Sequence, residues 1–217
     1  MEYGSLKYCD EFWTSDNTDP RDRVKIQWGA SMFYPACAMA SHVTVTGRQV
    51  PFKYRVDVSF SGRFGIEMQP KSMKPRELDF ARNALKEYHR IRPVVQQGDL
   101  YRLVSPFEHD YAALMYVNEQ KTHAIVCMYG LSRDTRKNYL PPLVMQGLDP
   151  KKRYRLRELN TESWRTPHSP LLGKCTDFVA EMDEKTLPTG EALMTFGLPV
   201  SLGDKDYDSA ILELIAE

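Results

Sequence analysis

Two stretches early in the chain place apolar residues three and four apart, the spacing of one helix face. Val24, Trp28 and Met32, with Ile26, Ala30 and Phe33 beside them, predict a helix from Arg21 to about Phe33. Asp19-Pro20 marks its start. An Asp accepts free backbone N–H groups as N-cap, and Pro suits the first helical position because its missing N–H has no partner there. Pro35 stops this helix. Leu78, Ala81, Leu85, Tyr88 and Ile91 predict a second helix over Pro75 to Arg92, ended by Pro93. Between the two, Ala38 to Val45 reads as a short buried strand, and residues 52–61 fit strand and helix equally.

From Gly98 the period changes. Tyr101 to Val104, Ala112 to Val117, His123 to Tyr129 and Tyr154 to Leu159 are short strand-like runs between turn residues. Asn118 to Lys121 reads as a hairpin connection, Arg153 to Arg157 alternates charged and apolar, and Asp208 to Ile215 reads as a closing strand. The predicted class is α+β: a mostly helical first part to about residue 97, then a small all-β antiparallel sandwich from 98 to 217. The first part carries many large apolar residues, among them Phe12, Trp13, Trp28, Phe33 and Phe60. With two clear helices it predicts an apolar surface in need of a partner.

Composition narrows the function classes. Of 217 residues, 42% are hydrophobic and 27% charged, the balance of an ordinary globular core and surface. Lys+Arg and Asp+Glu are equal at 29 each, which argues against a nucleic-acid or membrane-surface partner. No apolar run approaches the length that spans a bilayer. Cys9, Cys37, Cys127 and Cys175 lie far apart, with no His at ligand spacing, so neither a structural zinc, nor another cofactor, nor a disulfide scaffold is predicted. Met1 to Gly4 has neither the basic start nor the apolar block of a leader, which favours the cytoplasm slightly and leaves the compartment open.

The candidate chemistry lies in Phe12 to Pro20, FWTSDNTDP, where Asp16 and Asp19 sit three apart. From spacing alone this is a turn followed by an N-cap. The surrounding motifs add to that reading. Trp13 to Asp19, Arg23 to Ser31 and Tyr34 to Val43 resemble, in order, the W-[TS]-S-D-N-T-D, R-x-K-I-Q-[YW]-G-x-S and Y-P-x-x-A-M-x-x-H-V segments of glycoside hydrolase family 36, the bacterial α-galactosidases. Ser61-Gly62-Arg63-Phe64-Gly65, Ile91-Arg92-Pro93 and Gly98 to Glu108 resemble further landmarks of that family, as do Gly147 to Pro150 and Gly197 to Pro199.

The resemblance implies that residues 1–97 form the end of a (β/α)8 catalytic barrel and 98–217 a C-terminal β-sandwich. It implies hydrolysis of α-galactoside oligosaccharides by the retaining route. That route uses two carboxyls about 5–5.5 Å apart, one as nucleophile and one as acid/base. Asp16 matches the acid/base; Asp19 stays the helix cap. The family's nucleophile motif, W-D-[MF]-N-like, and its C-x-S-G-G-G-R loop occur nowhere in the sequence. The resemblance therefore implies a longer parent enzyme whose N-terminal part is a partner of this region. The isolated chain is then expected to be inactive. A homo-oligomer is also admitted.

Trp13 suits the apolar face of a pyranose and suits core packing equally well. His42 fits a core or loop role better than a catalytic one. Trp164 offers a surface sugar platform, with a loop anchor as the commoner use of such a residue. Lys151-Lys152-Arg153 reads as a solvated turn. The competing function class is a non-catalytic β-sandwich module that binds sugar or a partner protein.

Overall fold

The computed structural model describes residues 3–45, 49–131, 140–182, 187–203 and 207–217. The first part alternates strand and helix: β1 (Phe12–Trp13), α1 (Pro20–Ala30), β2 (Met39–Val43), α2 (Phe52–Ser59), β3 (Arg63–Ile66) and α3 (Pro75–Gln97). The three strands pair in parallel in the order β1-β2-β3, so α1 and α2 each connect neighbouring strands, while α3 leads on to the second sheet. The stretch left open between strand and helix is thus α2. Strand pairing accompanies the helices throughout this part, where mainly helix and loop was expected.

Helix α1 closes at Ala30, three residues earlier than its pattern predicted. Ser31 turns the chain, and Met32 and Phe33 are left 55% and 64% exposed. Helix α3 runs past the predicted stop at Pro93 to Gln97. Val94 and Val95 in that extra turn are buried. Burying two valines gains about 1.5–3 kcal/mol each, enough to offset the roughly 3 kcal/mol that an interior proline costs. The buried face of α3 holds the predicted Ala81, Tyr88 and Ile91 together with Phe80, Ala84, Val94 and Val95, whereas the predicted Leu85 is exposed. Ala84 is small, so the helix can approach its neighbours closely while Phe80 and Tyr88 fill the flanks.

The remaining strands are β4 (Asp99–Val104), β5 (Tyr111–Val117), β6 (His123–Gly130), β7 (Tyr154–Thr161), β8 (Phe178–Glu181) and β9 (Ser209–Ala216), with helix α4 (Gly190–Thr195) before β9. They form one antiparallel sheet in the order β4-β5-β6-β9-β7-β8, with the last strand in its centre. Among the described residues no second sheet faces it, as a sandwich would require. One face, including Leu114, Tyr116, Cys127 and Ile211, packs on α2 and α3. The other, including Met115, Met128 and Leu212, is covered by loop residues such as Leu143, Met145 and Leu198 and by Leu193 of α4. With both faces covered, every residue of β5 is buried.

The apolar surface expected on the first part is therefore largely met within the chain. Trp28, Tyr34, Tyr54 and Phe60 are at most 5% exposed and share one core with the antiparallel sheet. Polar groups fasten the same interface. The Tyr116 hydroxyl donates to the Ser61 carbonyl (2.9 Å), Tyr129 to that of Asp57 (3.1 Å), and Tyr54 to that of Gly130 (2.9 Å). Lys53 and Asp57, one turn apart on α2, form a buried ion pair at 2.5 Å. Ser209 and Asn160 donate to the same carboxylate at 2.7 and 2.8 Å. Farther along β9, Glu213 is fully buried and holds Arg90 of α3, His123 and Arg157.

Candidate functional site

The loop that leaves β1 carries Asp16, and its shape is set locally. Asn17 is its hub. Its backbone N–H donates to Ser15 Oγ (3.1 Å), its side-chain oxygen accepts the Asp19 N–H (2.9 Å), and its amide nitrogen donates to Asp22 (3.0 Å). Asp19 accepts the backbone N–H groups of Arg21 (3.0 Å) and Asp22 (3.3 Å), which makes it the N-cap of α1. Asp16 is exposed at the tip. Among the described residues no hydrogen bond or ion pair reaches its carboxylate. Of two carboxylates three apart, one is committed to the helix and the other is left to solvent.

Beneath the loop lies Arg23, from the first turn of α1. It is 3% exposed, and among the described residues no carboxylate pairs with it. Its guanidinium donates to the carbonyls of Ser15 (3.0 Å) and Ala40 (3.4 Å) and sits 4.3 Å from the Trp13 ring centroid. Burial pulls it down to about 10, so it remains charged at neutral pH. The indole of Trp13 is half-buried between this cation and His42, whose ring centroid is 5.0 Å away. Arg23 thus holds both the sequence-predicted aromatic and the residue directly before the sequence-predicted acid.

The strands below are packed closely enough to require glycine. Opposite His42 in the β2–β3 register stands Gly65, where a Cβ would lie 2.6 Å from the imidazole. At Gly62 a Cβ would lie 2.8 Å from the Met39 carbonyl oxygen. Behind them Gln27 donates to Ser61 (2.9 Å) and to the Val58 carbonyl (2.9 Å), and accepts from Ser41 (2.8 Å). The R-x-K-I-Q and S-G-x-F-G segments are thus one interlocked unit under the Asp16 loop.

Comparison with known proteins places these segments in a family. The Melibiase family pattern matches residues 1–98, and that of the glycosyl hydrolase family 36 C-terminal domain matches residues 111–214. This chain belongs to glycoside hydrolase family 36. Alpha-galactosidase C of Emericella nidulans is 37% identical over 166 residues, which is 71% of this chain and 21% of the relative. Alpha-galactosidase AgaA of Geobacillus stearothermophilus is 36% identical over 161 residues, 72% of this chain and 22% of the relative. The crystal structure of the family 36 alpha-galactosidase AgaB from that organism superposes with a TM-score of 0.81 at 30% identity, covering 99% of this chain and 27% of that one. A variant of AgaA solved with raffinose superposes at 0.82 with 28% identity and the same coverage. The chain spans about a fifth to a quarter of the length of the curated relatives it matches.

Within the family 36 chain, one role, that of Arg23, escaped the sequence reading. Asn17 is the hub of the loop, and Thr18 makes a longer contact to the Val45 carbonyl (3.4 Å). Arg23 was not singled out, although one signal was present. It places a cation in the first turn of a helix, where the helix dipole disfavours positive charge. Trp164 is 57% exposed on the second part of the chain, and Lys151 to Arg153 follow a turn in which Asp149 accepts the Lys151 N–H (3.0 Å).

Proposed function

We propose that this chain supplies the acid/base half of a retaining α-galactosidase. Residues 1–97 would form the closing βα units of the catalytic barrel and 98–217 its C-terminal β-domain. Asp16 would protonate the departing glycosidic oxygen and then take a proton from the water that releases the sugar. The nucleophilic carboxylate would come from a barrel strand outside this chain. Trp13 would border the bound galactose, held there by Arg23 and His42. The substrate class is a terminal α-galactoside, in keeping with the raffinose bound by the AgaA variant.

The observation that carries the reading is the contrast between the two aspartates. Asp19 spends its carboxylate on the cap, whereas Asp16 is exposed just past the C-terminal end of a parallel strand. Barrel enzymes keep their catalytic groups at that end of the strands. A carboxylate that exchanges a proton with substrate and water must be reachable and uncommitted.

The test joins this chain to the upstream part of a family 36 relative and follows hydrolysis of nitrophenyl α-galactoside. Asp16→Asn should lower turnover by about 10²–10⁴-fold. The loss should be smaller for better leaving groups, and azide should restore part of it by attacking the glycosyl-enzyme without a base. The isolated chain should hydrolyse the substrate no faster than buffer. If Asp19→Asn shows the azide-rescued loss and Asp16→Asn does not, the roles are reversed. Activity of the isolated chain would refute a nucleophile supplied from outside it.

A further inference from the structure

A second cluster of chemistry lies in the antiparallel part, beside β7 and the start of β9. His168 is buried between two carboxylates, its ring nitrogens 2.6 Å from Glu158 and 3.0 Å from Asp208. Asp208 also accepts from Arg165 (2.5 Å) and from the Gly203 N–H (2.5 Å). Glu162 holds a second nitrogen of Arg165 at 3.2 Å. Three carboxylates and two cations are therefore satisfied among themselves. The backbone around them is pinned as well: the His168 N–H donates to Glu158 (2.9 Å) and the Ser201 N–H to the His168 carbonyl (2.8 Å).

Arg165, His168 and Asp208 of this network line a cleft of about 350 Å³. On its rim Trp164 is 57% exposed, with the Arg165 guanidinium 5.1 Å from the ring centroid. Thr166 and Ser201 are exposed in the same cleft, and among the described residues neither hydroxyl has a hydrogen-bond partner.

We propose that this cleft binds a neutral saccharide, one pyranose ring seated on the Trp164 indole and its hydroxyls bonded by Thr166, Ser201 and the remaining N–H groups of Arg165. The size lies within the range of small-molecule sites. The charges do not select an anion, because the two cations already face three carboxylates. Nor is the lining that of an apolar site, because Arg165, Thr166 and Ser201 present polar groups to it. A flat aromatic face beside free hydroxyls matches a sugar, whose C–H face is apolar and whose edge is a ring of hydroxyls. The site uses none of the residues on which the catalytic reading rests, so either stands without the other.

The test titrates the whole chain with raffinose, methyl α-galactoside, methyl α-glucoside and inorganic phosphate, observed in ¹H–¹⁵N spectra by the three indole N–H signals and, for the variants that lack Trp164, by the backbone amides of Thr166 and Ser201. A saccharide should shift the Trp164 signal with a dissociation constant on the order of 1 mM, the strength of a small ligand with one stacked ring. Asp16→Asn should leave this shift unchanged, which separates the cleft from the Asp16 loop. Trp164→Ala should weaken binding at least about tenfold, and Trp164→Tyr, which keeps an aromatic face, should retain most of it. Ser201→Ala should weaken it a few-fold. No Trp164 shift at 50-fold excess over that constant, on the order of 50 mM, overturns the proposal. So do saccharide binding that survives Trp164→Ala, and a shift produced by phosphate but not by the sugars.

Discussion

Arg23 lies 4.3 Å from the centre of the Trp13 ring while donating to the Ser15 carbonyl, so one buried cation sets both the wall and the hinge of the Asp16 loop. Arg23→Met keeps much of the volume but removes these donors. It leaves the Ser15 and Ala40 carbonyls without their charged partner. Hydrogen bonds to charged groups contribute about 1.5–3 kcal/mol, so the urea midpoint should fall accordingly. Amide exchange of residues 14–18 should speed up more than that of β5 and β6. Uniform acceleration across the chain would mean that Arg23 acts on global stability alone.

The two aspartates of the loop should separate in stability as they do in geometry. Asp19→Ala removes the N-cap of α1 and should cost about 1 kcal/mol. Asp16→Ala removes an exposed carboxylate without a described partner and should stay within about 0.5 kcal/mol of the parent. Thermal unfolding of the two variants decides this, and equal losses would show that Asp16 also supports the fold.

The Lys53–Asp57 pair joins α2 to β9 and β7 inside the shared core. Asp57→Ala strands a buried ammonium and should destabilise by about 3–5 kcal/mol. The double change Lys53→Met with Asp57→Leu removes both charges and should cost less than Asp57→Ala alone, despite the lost bonds to Ser209 and Asn160. A double-mutant cycle built from Lys53→Met, Asp57→Leu and their combination, read by urea unfolding, measures the coupling. Additive losses would mean that the two charges do not depend on each other.

The pH profile should carry two signatures. Burial pulls the His168 imidazole down, but the hydrogen bonds and charges of Asp208 and Glu158 outweigh it and hold the group up at about 9. A folded value above the unfolded one of about 6.5 stabilises fully below pH 6.5, and that contribution is lost as pH rises through 9. Burial pushes Glu213 up, but His123 and Arg90 outweigh it and lower its carboxyl to about 2. Its contribution is present above the usual Glu range and lost as pH falls toward 2. His168→Gln should flatten the decline between pH 6.5 and 9 and leave the acid limb in place. An unchanged alkaline limb in that variant would assign it to other groups.

The sequence by itself determined the local elements and the family. Asp19-Pro20 encodes the start of α1 because a cap and a fixed φ act within one turn. The short, nearly continuous apolar runs of β5 and β6 encode strands. The motifs from Trp13 to Val43 and beyond carried the family, and within them Asp16 stood out from Asp19. The tertiary structure decided what depends on partners far along the chain. Helix α3 runs through Pro93 because Val94 and Val95 find a core there, and its buried face takes in Phe80 and Ala84 because they meet the neighbouring elements. Met32 and Phe33 continue the apolar pattern of α1 yet stay exposed, because periodicity records which face is apolar and not whether anything covers it. The last strand sits in the middle of its sheet, and Gly65 must be glycine because His42 stands opposite. The partners of Arg23 and the cleft around Trp164 were illegible for the same reason. Their meaning lies in carbonyls, carboxylates and hydroxyls brought together from distant positions, and only the folded chain sets those distances.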